Sequence, residues 1–220
     1  MLKQQFKGAP ATALFTALCT FVFIVTAIQA RSITDVVWNS PIAENMILWG
    51  PYVDGPGYLR ILTAGFLHLD ITHLFLNMML LVLVGSEIER FVGTGPYAVA
   101  YLAFVVASSA SVLAFNFAVP TAGASGALYA LMAVLVAIAY RRSADLRAPI
   151  ILILVNVAYT FLASNVSFWG HAGGLVWGAL LAWPLTSTSN RSRWIAAWAG
   201  LAVAIVAAWV PTIPMSTMVF

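Results

Sequence analysis

Uncharged apolar runs long enough to cross a bilayer recur from near the N-terminus almost to Phe220, and the short polar stretches between them carry nearly all the charge. A spanning helix needs about 20 mostly apolar residues. The pattern predicts seven spans, Ala11 to Ala30, Ile71 to Ile88, Tyr97 to Val119, Ser125 to Tyr140, Ala148 to Ala163, Trp169 to Leu185 and Trp194 to Val210. The first follows a basic head with Lys3 and Lys7, as a secretory signal would. It is too long for a signal core of roughly 7 to 15 residues, and Ile28-Gln29-Ala30 lacks the small-x-small cleavage site. The fourth and sixth spans are short and each is preceded by Gly or Pro. Irregular backbone at membrane depth is tolerated only where protein or a water-filled cavity surrounds it, so these two are the spans expected to bear a site. Between the first two spans, Arg31 to Thr63 is too polar to cross yet holds Trp38, Ile47, Leu48, Trp49, Tyr52 and Tyr58. Aromatic rings prefer the headgroup level, so this segment is expected to lie in the interface.

Composition agrees with lipid as the solvent: 62% of the 220 residues are apolar and 8% are charged, far from a soluble domain. The net charge of +3 is spread singly or in pairs between apolar runs, which marks topology and gives no reason to expect a nucleic-acid partner. With the N-terminus inside, Lys3, Lys7, Arg90, Arg141, Arg142, Arg147, Arg191 and Arg193 fall on the cytoplasmic side, eight of the ten basic residues, leaving Arg31 and Arg60 outside. That is the positive-inside arrangement. The expected protein is an integral multi-pass one of a prokaryotic cytoplasmic membrane, since the chain is compact and Ala-rich. Cys19 is the single cysteine and excludes an intrachain disulfide.

Chemistry concentrates at one end of the even-numbered spans. The three histidines, His68, His73 and His171, all fall there, and so does Ser125. Each alone could be a polar residue satisfied by a backbone carbonyl. Four at one depth point to a site, because polar and ionisable groups in membrane segments are costly and tend to be functional. Gly123-Ala124-Ser125-Gly126 sets a serine at a helix entry, where backbone N–H groups attract negative charge. The string alone is weak, since such strings also mark close helix packing. Gly174 and Gly178 share a helical face with His171, and Gly126, Ala130, Ala133 and Ala137 form a matching stripe beside Ser125 and Tyr129. Close packing of the fourth and sixth spans would bring Ser125 toward His171. His73 and Asn77, four apart, project from one face of the second span. His68 is about 140° away around a helix, so it faces elsewhere or precedes the helix. A zinc site is weakly supported: no His-Glu-x-x-His helix is present, and Asp70 is the one carboxylate near the cluster. No cofactor is called for.

Taken together, His68-x4-His73-x3-Asn77, Gly123-x-Ser125-Gly126 and Gly170-His171-x2-Gly174-x3-Gly178 resemble the rhomboid family of intramembrane serine proteases over about residues 11 to 187. The stretch from Arg60 to His68 resembles the lead into that family's second helix, and Glu89 and Gly93 resemble its cytoplasmic end. The family's aromatic-Arg pair appears here as Leu59-Arg60, with Tyr58 one place earlier. The resemblance implies an all-α polytopic membrane protein, a six-helix rhomboid-like bundle plus one extra C-terminal transmembrane helix. In that organisation residues 1–10 are a cytoplasmic tail, 11–187 a membrane domain containing the interfacial loop 31–63, and 188–220 the seventh span and a short tail. It further implies a Ser125-His171 dyad with no acidic third member. His73 and Asn77 join the Ser125 N–H around the oxyanion, Gly123, Gly126, Gly174 and His68 support the site, and Tyr129 either packs on the imidazole or is a plain core tyrosine. Implied substrates are single-span transmembrane proteins cut in or near the bilayer, commonly after a small residue. Two other readings compete. A catalytically inactive rhomboid-like protein that binds membrane clients would normally lack Ser or His, and a proton-relay transporter would place charges at mid-bilayer, where these spans have none.

Overall fold

A computed structural model describes residues 6–163 and 166–210, and among them it is all-helical, with one isolated two-residue bridge between loops. Seven long helices run in order: α1 Pro10–Ala30, α2 Ile71–Val92, α3 Thr94–Phe115, α4 Ser125–Arg141, α5 Arg147–Leu162, α6 Phe168–Leu185 and α7 Asn190–Trp209. Four of them, α1, α2, α3 and α7, are each long and apolar enough to cross a bilayer. The predicted third span was drawn too far. The chain leaves helical geometry at Asn116 (φ −147°), four residues ahead of Pro120, which has no N–H for a helical bond to the Asn116 carbonyl and whose ring would clash with it. The fourth and sixth helices are short, as the pattern predicts, at 17 and 18 residues, and α5, at 16, is shorter still.

Each helix shows why it sits where it does. Pro10 opens α1, a position where a missing N–H costs nothing, and its buried stripe of Ala11, Phe15, Cys19, Phe23 and Thr26 follows the helical repeat. The orphan donors of its first turn are met from another helix. Glu89, 1% exposed, accepts from Ala11 N–H at 2.9 Å, Thr12 N–H at 2.7 Å and Thr12 Oγ1 at 2.8 Å, and a carboxylate at a helix N-terminus is well placed. Asp70 caps α2 by accepting from His73 N–H at 2.8 Å. The helix then passes through a π turn at Leu81–Gly85. α3 is buried around most of its circumference and forms the hub of the bundle.

Small residues decide the contact of α4 with α6. A Cβ at Gly174 would overlap the Gly126 carbonyl, and one at Gly178 would overlap the Ala130 backbone. Lipid tails are as apolar as the side chains, so association of helices in a membrane depends on such close backbone packing.

The segment 31–63 folds over one end of the bundle as the short helix Pro41–Met46, two 3-10 turns and the turn Arg60–Thr63. Leu48 exchanges backbone hydrogen bonds with Thr121 (3.0 and 2.8 Å), Gly50 N–H donates to Phe117 O at 3.0 Å, and Gly123 N–H donates to Ala64 O at 2.9 Å. Arg60 donates to the Glu44 and Ile47 carbonyls and lies over the Tyr52 ring. This is how Leu59-Arg60 anchors the loop: the arginine is used, with an aromatic partner drawn from elsewhere in the segment. The segment therefore braces the 116–124 loop that delivers Ser125. At the opposite end, Arg142 and Arg90 pair with Glu87. Arg141 donates to Thr186 Oγ1 at 2.7 Å and packs on Trp183, while Arg193 donates to Val92 O at 3.0 Å.

Candidate active site

Ser125 begins α4 and His171 lies in the first turn of α6, so the N-terminal ends of two closely packed helices bring them together. Ser125 Oγ and His171 Nε2 are 2.7 Å apart, within the range of a strong hydrogen bond. His171 is 6% exposed, while Ser125 keeps partial exposure. Tyr129, one turn into α4, stacks on the imidazole with ring centroids 4.1 Å apart and an interplanar angle of 16°. Of the two roles left open for that tyrosine, the packing one is what the geometry presents.

Ser125 and Gly126 occupy the first turn of α4, where backbone N–H groups have no intrahelical partner. Gly123 stands before them at φ +127°, a conformation open chiefly to glycine. A Cβ there would lie 2.7 Å from His73 Nε2 and 3.7 Å from Ser125 Oγ. The bare glycine thus admits the His73 ring beside the serine. His73 Nδ1 accepts from Leu69 N–H at 3.5 Å, which leaves the proton on Nε2, the nitrogen on the serine's side. Asn77 is buried on the same face of α2 and donates one amide N–H to the His73 carbonyl at 2.8 Å. A primary amide has two such hydrogens, so a second remains.

His68 precedes α2 and is fully buried, its ring edge-on to His73 with centroids 5.1 Å apart. It backs the His73 ring and does not reach Ser125. Asp70 is committed to capping α2, and no group of three metal-ligating side chains exists among the described residues. Gly126 and Gly174 meet backbone to backbone, as described above.

Two participants escaped the sequence pattern. Thr160 on α5 places its hydroxyl 2.8 Å from His171 Nδ1, on the side of the ring where soluble serine hydrolases hold a carboxylate. Ser108 on α3 donates to Gly170 O at 2.9 Å, tying the residue before His171 to the hub helix. A threonine or serine in an apolar helix ordinarily satisfies itself on the carbonyl one turn back, so neither stands out. The available signal for Thr160 was its i,i+4 spacing from Asn156, a second polar residue on the same helix face.

The family model of the Rhomboid domain matches residues 56–188, more than half of the chain. The chain belongs to the rhomboid family. Rhomboid protease GluP of Bacillus subtilis (strain 168) is 30% identical over 190 residues, covering 81% of this chain and 37% of that protein. Putative rhomboid protease YdcA of the same organism is 26% identical over 192 residues, covering 80% of this chain and 94% of its own length. Rhomboid-related protein 3 of Homo sapiens is 34% identical over 117 residues, 53% of this chain and 29% of the human protein. The chain thus spans roughly a third of GluP and of the human relative, and nearly all of YdcA. Membership of this family makes the seven-helix bundle an integral membrane protein.

Proposed function

We propose that this chain is an intramembrane serine protease that cuts single-span membrane proteins in or near their transmembrane segments through a Ser125-His171 dyad. The observation that carries the reading is the 2.7 Å approach of Ser125 Oγ to His171 Nε2; two protease-named relatives support it. His171 Nε2 takes the hydroxyl proton as Oγ attacks the scissile carbonyl carbon. The resulting oxyanion is met by the Ser125 N–H, His73 Nε2–H and the free Asn77 amide hydrogen, donors that count heavily where water is scarce. The imidazolium then protonates the leaving amine, the C–N bond breaks, and an acyl-enzyme remains. Water enters from the site's open end and gives a proton to His171 as its oxygen attacks the acyl carbon; the Ser125 Oγ–C bond then breaks, His171 returns the proton to Oγ, and the new carboxyl terminus leaves. A substrate helix must unwind locally first, because intact helices bury their carbonyls in hydrogen bonds.

The pairing of basic residues at the end away from Ser125 supports an N-terminus in the cytoplasm and a site open to the outer face. Bacillus relatives support a prokaryotic cytoplasmic membrane.

Cleavage of a model transmembrane substrate by purified protein in detergent tests the reading. Ser125→Ala and His171→Ala should each abolish cleavage, and a chelator should leave it unchanged. Retained activity in Ser125→Ala, or its loss with chelator, would overturn the serine mechanism; an inactive but folded wild type would favour client binding.

A further inference from the structure

α5 is the helix most open to its surroundings: of its 16 residues, only Pro149 and Thr160 are buried. Thr160 is also the polar group through which α5 reaches the histidine. Its hydroxyl oxygen lies 2.6 Å from Tyr129 OH, 2.8 Å from His171 Nδ1 and 3.0 Å from the Asn156 carbonyl oxygen.

All three contacts can be hydrogen bonds at once in only one arrangement of protons. A hydroxyl has one hydrogen to donate and two lone pairs to accept with. The Asn156 carbonyl can only accept, so the Thr160 hydrogen goes there. Both lone pairs must then receive: one takes the Tyr129 O–H, the other takes an N–H from His171 Nδ1. A neutral imidazole carries one proton, so with Nδ1 protonated the Nε2 lone pair is bare and faces Ser125 Oγ at 2.7 Å. The opposite tautomer would leave Nδ1 and a filled oxygen with no hydrogen between them, an unmet pair of acceptors in a buried site.

We propose that Thr160 is a positioning residue that holds His171 in the Nδ1–H tautomer, the role a carboxylate plays in soluble triads. The proposal rests on the serine-protease reading. Because the hydroxyl is neutral, it fixes the ring and its proton without adding a buried charge. When His171 gains the Ser125 proton the Nδ1–H···Oγ1 bond persists, so the same contact serves both protonation states.

Histidine 15N NMR on the wild-type protein in detergent reads the tautomer directly, with the His171 resonances identified by their loss in His171→Ala. The expected result is a protonated Nδ1 and an unprotonated Nε2. In cleavage assays the isosteric Thr160→Val should lower kcat roughly tenfold, about what one neutral buried hydrogen bond is worth, with KM unchanged. Thr160→Ser, which keeps the hydroxyl, should recover most of that loss. A wild-type His171 protonated on Nε2, or a Thr160→Val enzyme with wild-type kcat, overturns the proposal. Should Thr160→Val fail to fold, the wild-type tautomer and the Thr160→Ser kinetics decide. The serine mechanism is judged separately by Ser125→Ala, so a silent Thr160→Val beside a dead Ser125→Ala refutes this inference alone.

Discussion

Gly123 combines a positive φ of +127° with a neighbour, the His73 ring, that already fills the place of a side chain. Gly123→Ala should therefore strain the backbone by about 1 to 3 kcal/mol and push His73 from Ser125. Turnover should fall far more than thermal stability; a variant with wild-type turnover would show that His73 does not serve the site. Asn77→Ala should lower kcat with little change in KM, because an oxyanion donor acts mainly in the transition state. Loss of one such donor costs roughly 10² to 10³ in rate, and the surviving Ser125 N–H and His73 set that as an upper range.

For His68 the expected effect is on stability. Burial, with His73 adding to it, pushes its imidazole down to about 3, whereas an unfolded histidine titrates near 6.5, as is typical. As pH falls below about 6.5 the unfolded chain gains a proton that folded His68 refuses until about 3, at a cost of about 1.4 kcal/mol per pH unit. Thermal unfolding between pH 7 and pH 5 should thus weaken the wild type more than His68→Gln; equal sensitivity would contradict the assignment. Among these residues, helical spacing left His68 either facing elsewhere or preceding the helix; it precedes α2, and its edge-on contact with the His73 ring was not legible from the offset of about 140°, which holds only within a helix. Gly123's positive φ was not legible, since a glycine beside a serine reads equally as a packing residue.

Helices were legible where hydrophobic runs are long and their ends carry a cap or a breaker, as at Pro10 and Asp70. The end of α3 was not, because Phe117, Ala118 and Val119 continue the apolar run while the backbone has already turned to pair with Gly50. The α4–α6 contact was foreseeable from glycine spacing and has a direct consequence. Gly178→Leu must push the Ala130 backbone away, and overpacking of this kind costs about 1 to 3 kcal/mol or more. Thermal stability and cleavage should fall together, since the same contact sets the Ser125–His171 distance. Glu89→Ala should also lower thermal stability, by about 2 to 3 kcal/mol on the scale of hydrogen bonds to charged groups, yet the surviving folded protein should keep its turnover because the α1 cap lies at the far end. What the pattern could not supply was the placement of α5. Its polar Asn156 and Thr160 mark one face but not what that face meets, and the Thr160 contact depends on three helices meeting at one point.

At the scale of the whole molecule, one end holds Ser125, His171, His73 and the bracing loop, while Arg90, Arg141, Arg142 and Arg193 gather at the other. This polarity predicts which end faces the cytoplasm. In a Cys19→Ser background, a cysteine at the exposed Asn39 should react with an impermeant thiol reagent in intact cells and one at the exposed Ser143 should not. The reverse result would turn the site to the cytoplasmic side. The central claim is that Ser125 is an activated nucleophile, and its most direct measurement is labelling of the purified protein in detergent by a fluorophosphonate probe. Covalent attachment at Ser125, absent from Ser125→Ala and strongly reduced in His171→Ala, is the predicted result. Folded wild-type protein that takes up no label would contradict it.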